Sequence, residues 1–195
     1  MNNKDWIGNY NSIFKTLGAS NHTEDVREIN DYYATDPSTI FPLISNEKLS
    51  RNIWECACGE GHLSKELIKY GYNVISTDLI DRGYGVTNID FLKCSDMFGG
   101  DILTNPPYKY ALSFVEHALE LIPTGNKVIM FLKLQFLEGQ ERKRLFDTKQ
   151  LSKIYVFSKR QQCGKNGIFK GSSAVAYAWF IWVKGSNSDP IIKWI

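Results

Sequence analysis

The sequence predicts an α/β fold in which a mostly parallel sheet carries helices on both faces. Three observations lead to this expectation. Short apolar segments typical of strands alternate with segments of helical spacing, which is the order that builds parallel βαβ units. Residues 127–132 are apolar after the first lysine, as in a strand buried on both faces. A glycine-rich turn at 59–61 joins one predicted strand to a predicted helix, as in nucleotide-binding α/β proteins.

Length and composition set the domain organisation. A chain of 195 residues, 43% of them hydrophobic, can bury one core, so we expect a single domain over residues 31–195. Residues 1–30 are expected to form an N-terminal helical extension, because apolar side chains between positions 5 and 18 recur at helical spacing. The net charge of +2 does not make the whole chain a polycation, so any argument for nucleic acid must come from local clusters.

Cysteine content and hydropathy bear on the protein class. Of the 4 cysteines, Cys56 and Cys58 lie close together, but one intervening residue is not the usual zinc spacing, and we expect no metal. This cysteine content does not suggest a disulfide framework, which favours the cytoplasm. The N-terminus lacks the apolar core of a signal peptide, and no apolar run approaches ~18 residues, so we expect no membrane partner.

The predicted elements follow from local patterns in chain order. Gly71 ends the helix expected at 63–70, and Pro123 and Gly125 follow the end of the helix expected at 110–121. Charged residues dominate the helix expected at 138–148. Each strand is a short run rich in β-branched or aromatic residues. Strands are expected at 52–56, 73–77, 85–89, 101–104, 127–132, 152–157 and 174–183. Helices are expected at 37–44, 63–70, 110–121 and 138–148.

The turn after the first predicted strand has the composition of a cofactor-binding loop. Gly59 and Gly61 allow the backbone to approach a ligand closely, and the amides that begin a helix favour negative groups. Glu55 ends the strand, and Asp78 ends the next strand 78 − 59 = 19 residues after Gly59, where an acid can hold ribose hydroxyls. This pattern alone would suit a nicotinamide cofactor equally well.

Asp90 and Phe91 follow the predicted strand at 85–89. They could recognise adenine, with Asp90 accepting a hydrogen bond from the amino group and Phe91 packing on the ring. The alternative is an ordinary strand end that is followed by a core phenylalanine.

The segment Asn105-Pro106-Pro107-Tyr108 is the most specific signal in the chain. Two prolines after a strand force a stiff, extended loop, because each fixes φ and lacks an N–H. The loop presents an amide side chain, carbonyl acceptors and an aromatic ring, which suit an amino group on a flat base. This combination indicates methyl transfer to an amino nitrogen.

Residues 159–173 form a predicted basic loop between two strands. Residues 159–171 of this loop include four basic residues, three glycines and no acid, which suits contact with phosphates. The phenylalanine in the same segment suits stacking on a base. The residues concerned are Lys159, Arg160, Lys165, Phe169 and Lys170. A solvated hairpin loop is the alternative.

The cofactor-side motifs resemble those of class I S-adenosylmethionine-dependent methyltransferases. Residues 55–63, Glu-Cys-Ala-Cys-Gly-Glu-Gly-His-Leu, are similar to motif I of that family, and Asp78 is similar to the acid of motif II. Asp90-Phe91 resembles motif III. Residues 31–37, Asp-Tyr-Tyr-Ala-Thr-Asp-Pro, resemble motif X, which closes over the methionine end of the cofactor.

The acceptor-side motifs narrow the resemblance to the amino-methylating group. Asn105-Pro-Pro-Tyr108 is similar to motif IV, and residues 176–182 resemble motif VIII on an antiparallel final strand. The similarity is greatest to the small N6-adenine DNA methyltransferases of bacteria, phages and prophages, and it extends from residue 31 to about 184.

The resemblance implies a Rossmann-like class I methyltransferase fold with seven strands, S-adenosyl-L-methionine as cofactor, and methylation of N6 of a flipped adenine in DNA. It assigns cofactor binding to Tyr33, Thr35, Pro37, Glu55, Ala57, Cys58, Gly59, Gly61, Leu63, Asp78, Leu79, Asp90, Phe91 and Asn105. It assigns catalysis to Asn105, Pro106, Pro107 and Tyr108. Acceptor contacts are expected from Tyr108, Lys109, Lys159, Arg160, Lys165, Phe169 and Lys170.

Several alternatives stay open. Adenine in RNA and the amide of a protein glutamine present the same NH₂ group, and a catalytically idle subunit could keep the fold and bind only the cofactor. The chain is also short for the family, which usually carries a target-recognition domain. Target selection is therefore either weak or supplied by a partner, and we expect DNA or RNA together with a homodimer or a separate specificity subunit.

Overall fold

A computed structural model describes residues 34–161, 163–164 and 175–195. The expected N-terminal extension and Tyr33 lie outside these residues, as do Lys165, Phe169 and Lys170. Strands are β1 Ala34–Thr35, β2 Asn52–Glu55, β3 Asn73–Ser76, β4 Asp101–Thr104, β5 Lys127–Lys133, β6 Leu151–Val156, β7 Cys163–Gly164, β8 Tyr177–Val183 and β9 Ile191–Trp194. Helices are α1 Ile40–Asn46, α2 His62–Lys69, α3 Ala111–Leu121 and α4 Gln140–Asp147.

Seven strands form the main sheet in the order β3-β2-β4-β5-β8-β6-β9. All of them run parallel except β8, which is antiparallel to β5 on one side and to β6 on the other. The prediction of a mostly parallel, seven-stranded Rossmann-like sheet is confirmed, including the antiparallel placement of the segment 177–183 beside β6.

Two details of the strand prediction are wrong. Residues 85–89 do not form a strand, and the only pairing there is an isolated parallel bridge between Thr77 and Val86. The backbone φ is positive at Gly83, Gly85 and Asn88, which prevents a regular extended segment. The seventh strand is instead β9, which pairs in parallel with β6 and forms the edge of the sheet.

Helices cover both faces of the sheet, as predicted. α1 and α2 pack on one face, where Leu43 and Leu67 join the core with Phe131 and Trp179. α3 and α4 pack on the other face, where their apolar side chains join a second core that includes Trp182. Alternate residues of the central strands enter opposite cores because successive side chains of a strand point to opposite faces. No helix in the described part of the chain is long and apolar enough to cross a membrane.

A buried polar cluster ties α1 to the sheet at the edge where β5 begins. Glu47, directly after α1, is only 5% exposed. Its carboxylate accepts hydrogen bonds from Lys127 and Lys153, both at 2.6 Å, and from the Tyr155 hydroxyl at 2.9 Å. The cluster fixes the C-terminal end of α1 against strands β5 and β6.

A separate two-stranded ribbon joins β1 to β7. The strands are antiparallel, with Ala34 opposite Gly164 and Thr35 opposite Cys163. The ribbon therefore attaches the start of the described chain to the basic loop at 159–173.

Candidate active site

A cavity of about 890 Å³ opens at the edge of the sheet where the parallel strands β2, β3 and β4 end. Ligands of open α/β sheets bind at this carboxyl edge. The volume lies within the range of small-molecule and cofactor sites. Most of the predicted site residues within the described ranges line it: Thr35, Glu55, Ala57, Cys58, Leu63, Asp78, Leu79, Asp90, Phe91, Asn105, Pro106, Pro107, Tyr108 and Lys109.

The glycine turn forms the floor between β2 and α2. Gly59 and Gly61 have φ values of 55° and 76°, a left-handed region in which side chains are strained. A Cβ on Gly61 would overlap the ring of Tyr84, so the position also requires glycine for space. Gly59, Gly61 and Pro37 are predicted site residues that do not themselves line the cavity.

Asp78 is held rigidly at the cavity wall. One carboxylate oxygen accepts the Gly59 amide at 2.7 Å, and the other accepts the Ile80 amide at 2.8 Å. These bonds join the end of β3 to the glycine turn after β2. Each oxygen retains acceptor capacity for a further donor, such as a hydroxyl group in the cavity. Next to it, Leu79 is 54% exposed and presents an apolar surface to the same cavity.

Glu55 ends β2 and is 2% exposed. Burial raises the pKa of its carboxyl to about 8, although a hydrogen bond from Ser64 opposes the shift; the nearby charge of Asp78 adds to it. Ser64 also shares a hydrogen bond of 2.6 Å with Ser76. The raised pKa favours the protonated carboxyl of Glu55 at neutral pH, and a positive charge in the cavity would favour the ionised form.

The cysteines of the turn are thiols rather than thiolates. Burial raises the pKa of Cys56 well above its usual value and that of Cys58 to about 12. A thiol is a poor nucleophile and a poor metal ligand. Among the residues that the structure describes, no group of three or more His, Cys, Asp or Glu side chains could hold a metal ion.

Phe91 is mainly a core side chain that also borders the cavity. It is 2% exposed, and its ring contacts those of Trp54 and Phe114 at centroid distances of 5.2 and 5.0 Å. Asp90 caps the following turn by accepting the Leu92 amide at 3.2 Å, and it pairs with Lys93 at 3.0 Å. The predicted adenine contact at Asp90 and Phe91 stays a prediction.

The loop Asn105–Tyr108 leaves β4 directly into the cavity. Pro106 is buried, and the Pro107 carbonyl accepts the Tyr110 amide at 2.8 Å, which starts a short turn leading into α3. The half-buried ring of Tyr108 lies 6.1 Å from the ring of Tyr177 at the start of β8.

Sequence reasoning missed several residues around this loop. The Lys133 ammonium lies 4.7 Å from the centroid of the Tyr108 ring. The sequence did contain a signal for Lys133, because this residue directly follows the most apolar predicted strand. In a parallel sheet the end of that strand lies at the same edge as the end of β4. The cavity wall also includes residues that no motif indicated: Ile80, Arg82, Ile89, Leu92, Tyr110 and Phe114. Of the basic loop, Lys159 and Arg160 are described, and both are exposed.

The chain resembles known proteins in structure rather than in sequence. No protein-family model and no curated protein sequence matches the chain. A Listeria monocytogenes protein assigned as a class I S-adenosylmethionine-dependent methyltransferase superposes with a TM-score of 0.61 at 12% identity, over 88% of this chain and 68% of its own. The chain has the class I methyltransferase fold.

Two further solved structures share this fold. A protein of Pyrococcus horikoshii assigned as an RNA methyltransferase gives a TM-score of 0.58 at 13% identity, over 90% of this chain and 99% of its own. A protein of Vibrio vulnificus assigned as the modification subunit of a type I restriction enzyme gives 0.57 at 12% identity, over 95% of this chain. The chain spans 50% of that subunit's length. At such identities the likeness concerns the fold.

Proposed function

We propose that the chain transfers a methyl group from S-adenosylmethionine to the N6 amino group of adenine in DNA, with the target nucleotide flipped out of the duplex. One observation carries the proposal: Glu55 and Asp78 line the same cavity as Asn105 and Tyr108. The residues that we propose for the cofactor and the loop suited to an amino group therefore line one cavity. The proposal also rests on the motif resemblance of these residues.

The cavity residues fit the groups of the cofactor. Asp78 would accept hydrogen bonds from ribose hydroxyls, and the exposed face of Leu79 would pack on the adenine ring. Glu55 would lie near the cationic methionine portion, where a positive charge favours its ionised form. When bound, S-adenosylmethionine supplies an electrophilic methyl group on a sulfonium centre.

Asn105 and Pro106 would orient the acceptor amine. The lone pair of an adenine amino group is delocalised into the ring, which makes the nitrogen a poor nucleophile. The Asn105 side-chain oxygen and the Pro106 carbonyl would each accept a hydrogen bond from one N6–H, which directs the lone pair toward the methyl group. Both acceptors also stabilise the positive charge that develops on nitrogen. As the N–C bond forms and the S–C bond breaks, the cofactor would leave as the neutral thioether S-adenosylhomocysteine, and the now cationic nitrogen would lose one proton to solvent, so no strong general base is needed.

Tyr108 would hold the flipped base. An aromatic ring beside the amide pair offers a stacking surface for a purine that has left the duplex. The neighbouring Lys109 and the exposed Lys159 and Arg160 would contact the phosphate backbone.

The acceptor polymer and its partners are part of the proposal. Relatives in fold include both an assigned RNA methyltransferase and an assigned restriction-enzyme modification subunit, so RNA is the alternative acceptor. One of these relatives in fold is assigned as a subunit of a larger enzyme, and on that likeness we propose that a second copy or a separate subunit helps to select the target. We propose that the reaction takes place in the cytoplasm, because the cysteine content does not suggest a disulfide framework.

The decisive experiment offers isotope-labelled S-adenosylmethionine with unmethylated DNA, RNA or a protein extract. We expect label in DNA at N6-methyladenine, and none with the Asn105→Ala variant, which retains Glu55 and Asp78. Expression in a methylation-free host followed by mapping of N6-methyladenine would then give the target sequence. Label in RNA alone, or in protein glutamine, would replace the proposed acceptor. Cofactor binding without transfer to any acceptor would contradict the proposed activity.

A further inference from the structure

Lys133 ends strand β5 beside the acceptor loop. Thr104, the last residue of β4, pairs with Met130, and β5 continues three residues beyond that point to Lys133. On its other side, Lys133 lies directly opposite Tyr177 in the antiparallel β5–β8 pair. The strand register therefore fixes a lysine at the edge of the sheet from which Asn105 and Tyr108 emerge.

The charge of Lys133 is not neutralised by a carboxylate within the described residues. Its ammonium lies 4.7 Å from the centroid of the Tyr108 ring, and the side chain is half-buried. Lys127, at the other end of the same strand, forms an ion pair with Glu47 at 2.6 Å, whereas no ion pair of Lys133 occurs in the part of the chain that is described. One end of β5 thus has its charge compensated inside the fold, and the other end presents a cation beside an aromatic ring.

The Tyr108 ring and the Lys133 ammonium, 4.7 Å apart, could bind the base and the phosphate of one nucleotide. A base can stack on an aromatic ring, and its phosphate, a few ångströms away, pairs with a flexible ammonium. A glutamine side chain offers an amide but no anion to satisfy Lys133. We propose that Lys133 binds a backbone phosphate adjacent to the target base, so that the acceptor position takes a nucleotide rather than a protein amide. This inference rests on the proposed function only in placing the acceptor on Tyr108.

Neutral phosphate analogues test the contact directly. The probe is a thymidine oligonucleotide with a single central adenine, in which one flanking phosphate at a time is replaced by a neutral methylphosphonate. Binding is measured by fluorescence anisotropy in the presence of S-adenosylhomocysteine. At one of the two positions the wild type should lose about tenfold in affinity, as expected for one charged hydrogen bond. Lys133→Met should bind the unmodified probe about tenfold more weakly and be insensitive to that replacement.

The chain offers a matched control. The Lys65 ammonium, on α2, also lies 4.7 Å from the centroid of a tyrosine ring, that of Tyr84. Lys65→Met removes the same charge and the same type of contact, yet it should retain the wild-type sensitivity to methylphosphonate. Lys133→Arg should restore most of that sensitivity. The salt dependence of log Kd should fall by about 0.7 for Lys133→Met, as for one contact on a single strand.

The outcomes separate the inference from the proposed function. If Lys133→Met shows the wild-type loss with methylphosphonate and the wild-type salt slope, or if the wild type does not bind the probe, the inference is wrong. Methyl transfer is measured separately by incorporation of label. Binding that depends on Lys133 without methyl transfer would uphold the inference and contradict the proposed function. Methyl transfer to adenine in DNA, with phosphate binding that does not depend on Lys133, would uphold the proposed function and contradict the inference.

Discussion

At the scale of single residues, Glu55 has the largest consequence for pH dependence. Burial raises the pKa of its carboxyl from 4.5 to about 8 in the folded protein. Between these pH values the folded protein binds a proton that the unfolded chain has released. The free energy of unfolding should therefore fall as pH rises through this range, by up to ~1.4 kcal/mol per pH unit, and level off above it.

Glu55→Gln cannot ionise and should not show this fall. Urea unfolding of both proteins across the same pH series measures the difference. We expect the free energy of unfolding of the variant to rise steadily relative to that of the wild type from weakly acidic to weakly alkaline pH. Two curves that run parallel over the whole range would show that Glu55 is ionised in the folded protein.

Asn105 and Tyr108 should act at different steps of the proposed reaction. Asn105→Ala removes an acceptor of the amine protons, so the single-turnover rate should fall by at least ~100-fold while cofactor affinity stays near that of the wild type. Tyr108→Ala removes a stacking surface worth ~1–3 kcal/mol, which should weaken acceptor binding. Tyr108→Phe keeps the ring and should keep most of the activity. A Phe variant as inactive as the Ala variant would assign the role to the hydroxyl instead.

The sequence predicted the cavity-lining residues that follow strand ends and missed a neighbour that depends on strand register. Glu55, Asp78 and Asn105 each end or follow a strand, and parallel strands must place these ends together. Lys133 reaches Tyr108 only because β5 extends beyond its pairing with β4, a fact that no local pattern contains. Phe91 was expected to pack on a ligand, but how deeply a side chain is buried depends on its neighbours along the whole chain.

At the scale of elements, the anchoring of α1 depends on one carboxylate. Burial alone would raise the pKa of Glu47, but hydrogen bonds from Lys127, Lys153 and Tyr155 outweigh it, and the pKa is lowered. The group therefore contributes stability that is fully present above the ordinary value of 4.5 and is lost as pH falls through the lower folded-state pKa. Acid should therefore weaken the attachment of the C-terminal end of α1 to the sheet, while Leu43 keeps the helix packed in the core.

Glu47→Ala should lower the free energy of unfolding by ~3 kcal/mol, because it leaves two largely buried ammonium groups without their carboxylate. Asp147→Ala is the matched control, since it removes an exposed i,i+4 pair with Lys143 and should cost only ~0.3–0.5 kcal/mol. Denaturant unfolding of both variants measures these changes. Equal losses in the two variants would show that the buried cluster has no special weight.

The two errors in the strand prediction have different physical origins. Residues 85–89 carry β-branched side chains, but the positive φ of Gly85 and Asn88 is a property of the turn that local hydrophobicity does not report. β9 was missed because its four side chains are exposed on both faces and show no alternation. Its pairing with β6 is a long-range contact that sequence spacing does not encode.

At the scale of the whole molecule, alternation of strands and helices was sufficient to predict the architecture. The order of elements forces crossover connections, and these place helices on both faces of a parallel sheet. The cavity arises from the same topology, because it needs the ends of three parallel strands at one edge. What the topology leaves undetermined is the acceptor, which depends on side chains in the loops around that edge.

The ribbon of β1 and β7 makes the two predicted ligands of the protein interdependent. Ala34 and Thr35 line the cavity proposed to bind the cofactor, and their strand partners Cys163 and Gly164 belong to the loop expected to meet nucleic acid. A ligand that orders one strand of the ribbon orders the other, so each should raise the affinity for its counterpart by one common factor, typically 5-fold or more. Calorimetric titration of S-adenosylhomocysteine with and without oligonucleotide, and of oligonucleotide with and without S-adenosylhomocysteine, measures that factor twice. A factor of one would mean that binding of one ligand does not change the affinity for the other. A larger value predicts that an enzyme depleted of cofactor holds its polymer less tightly and releases it rather than stalling on it.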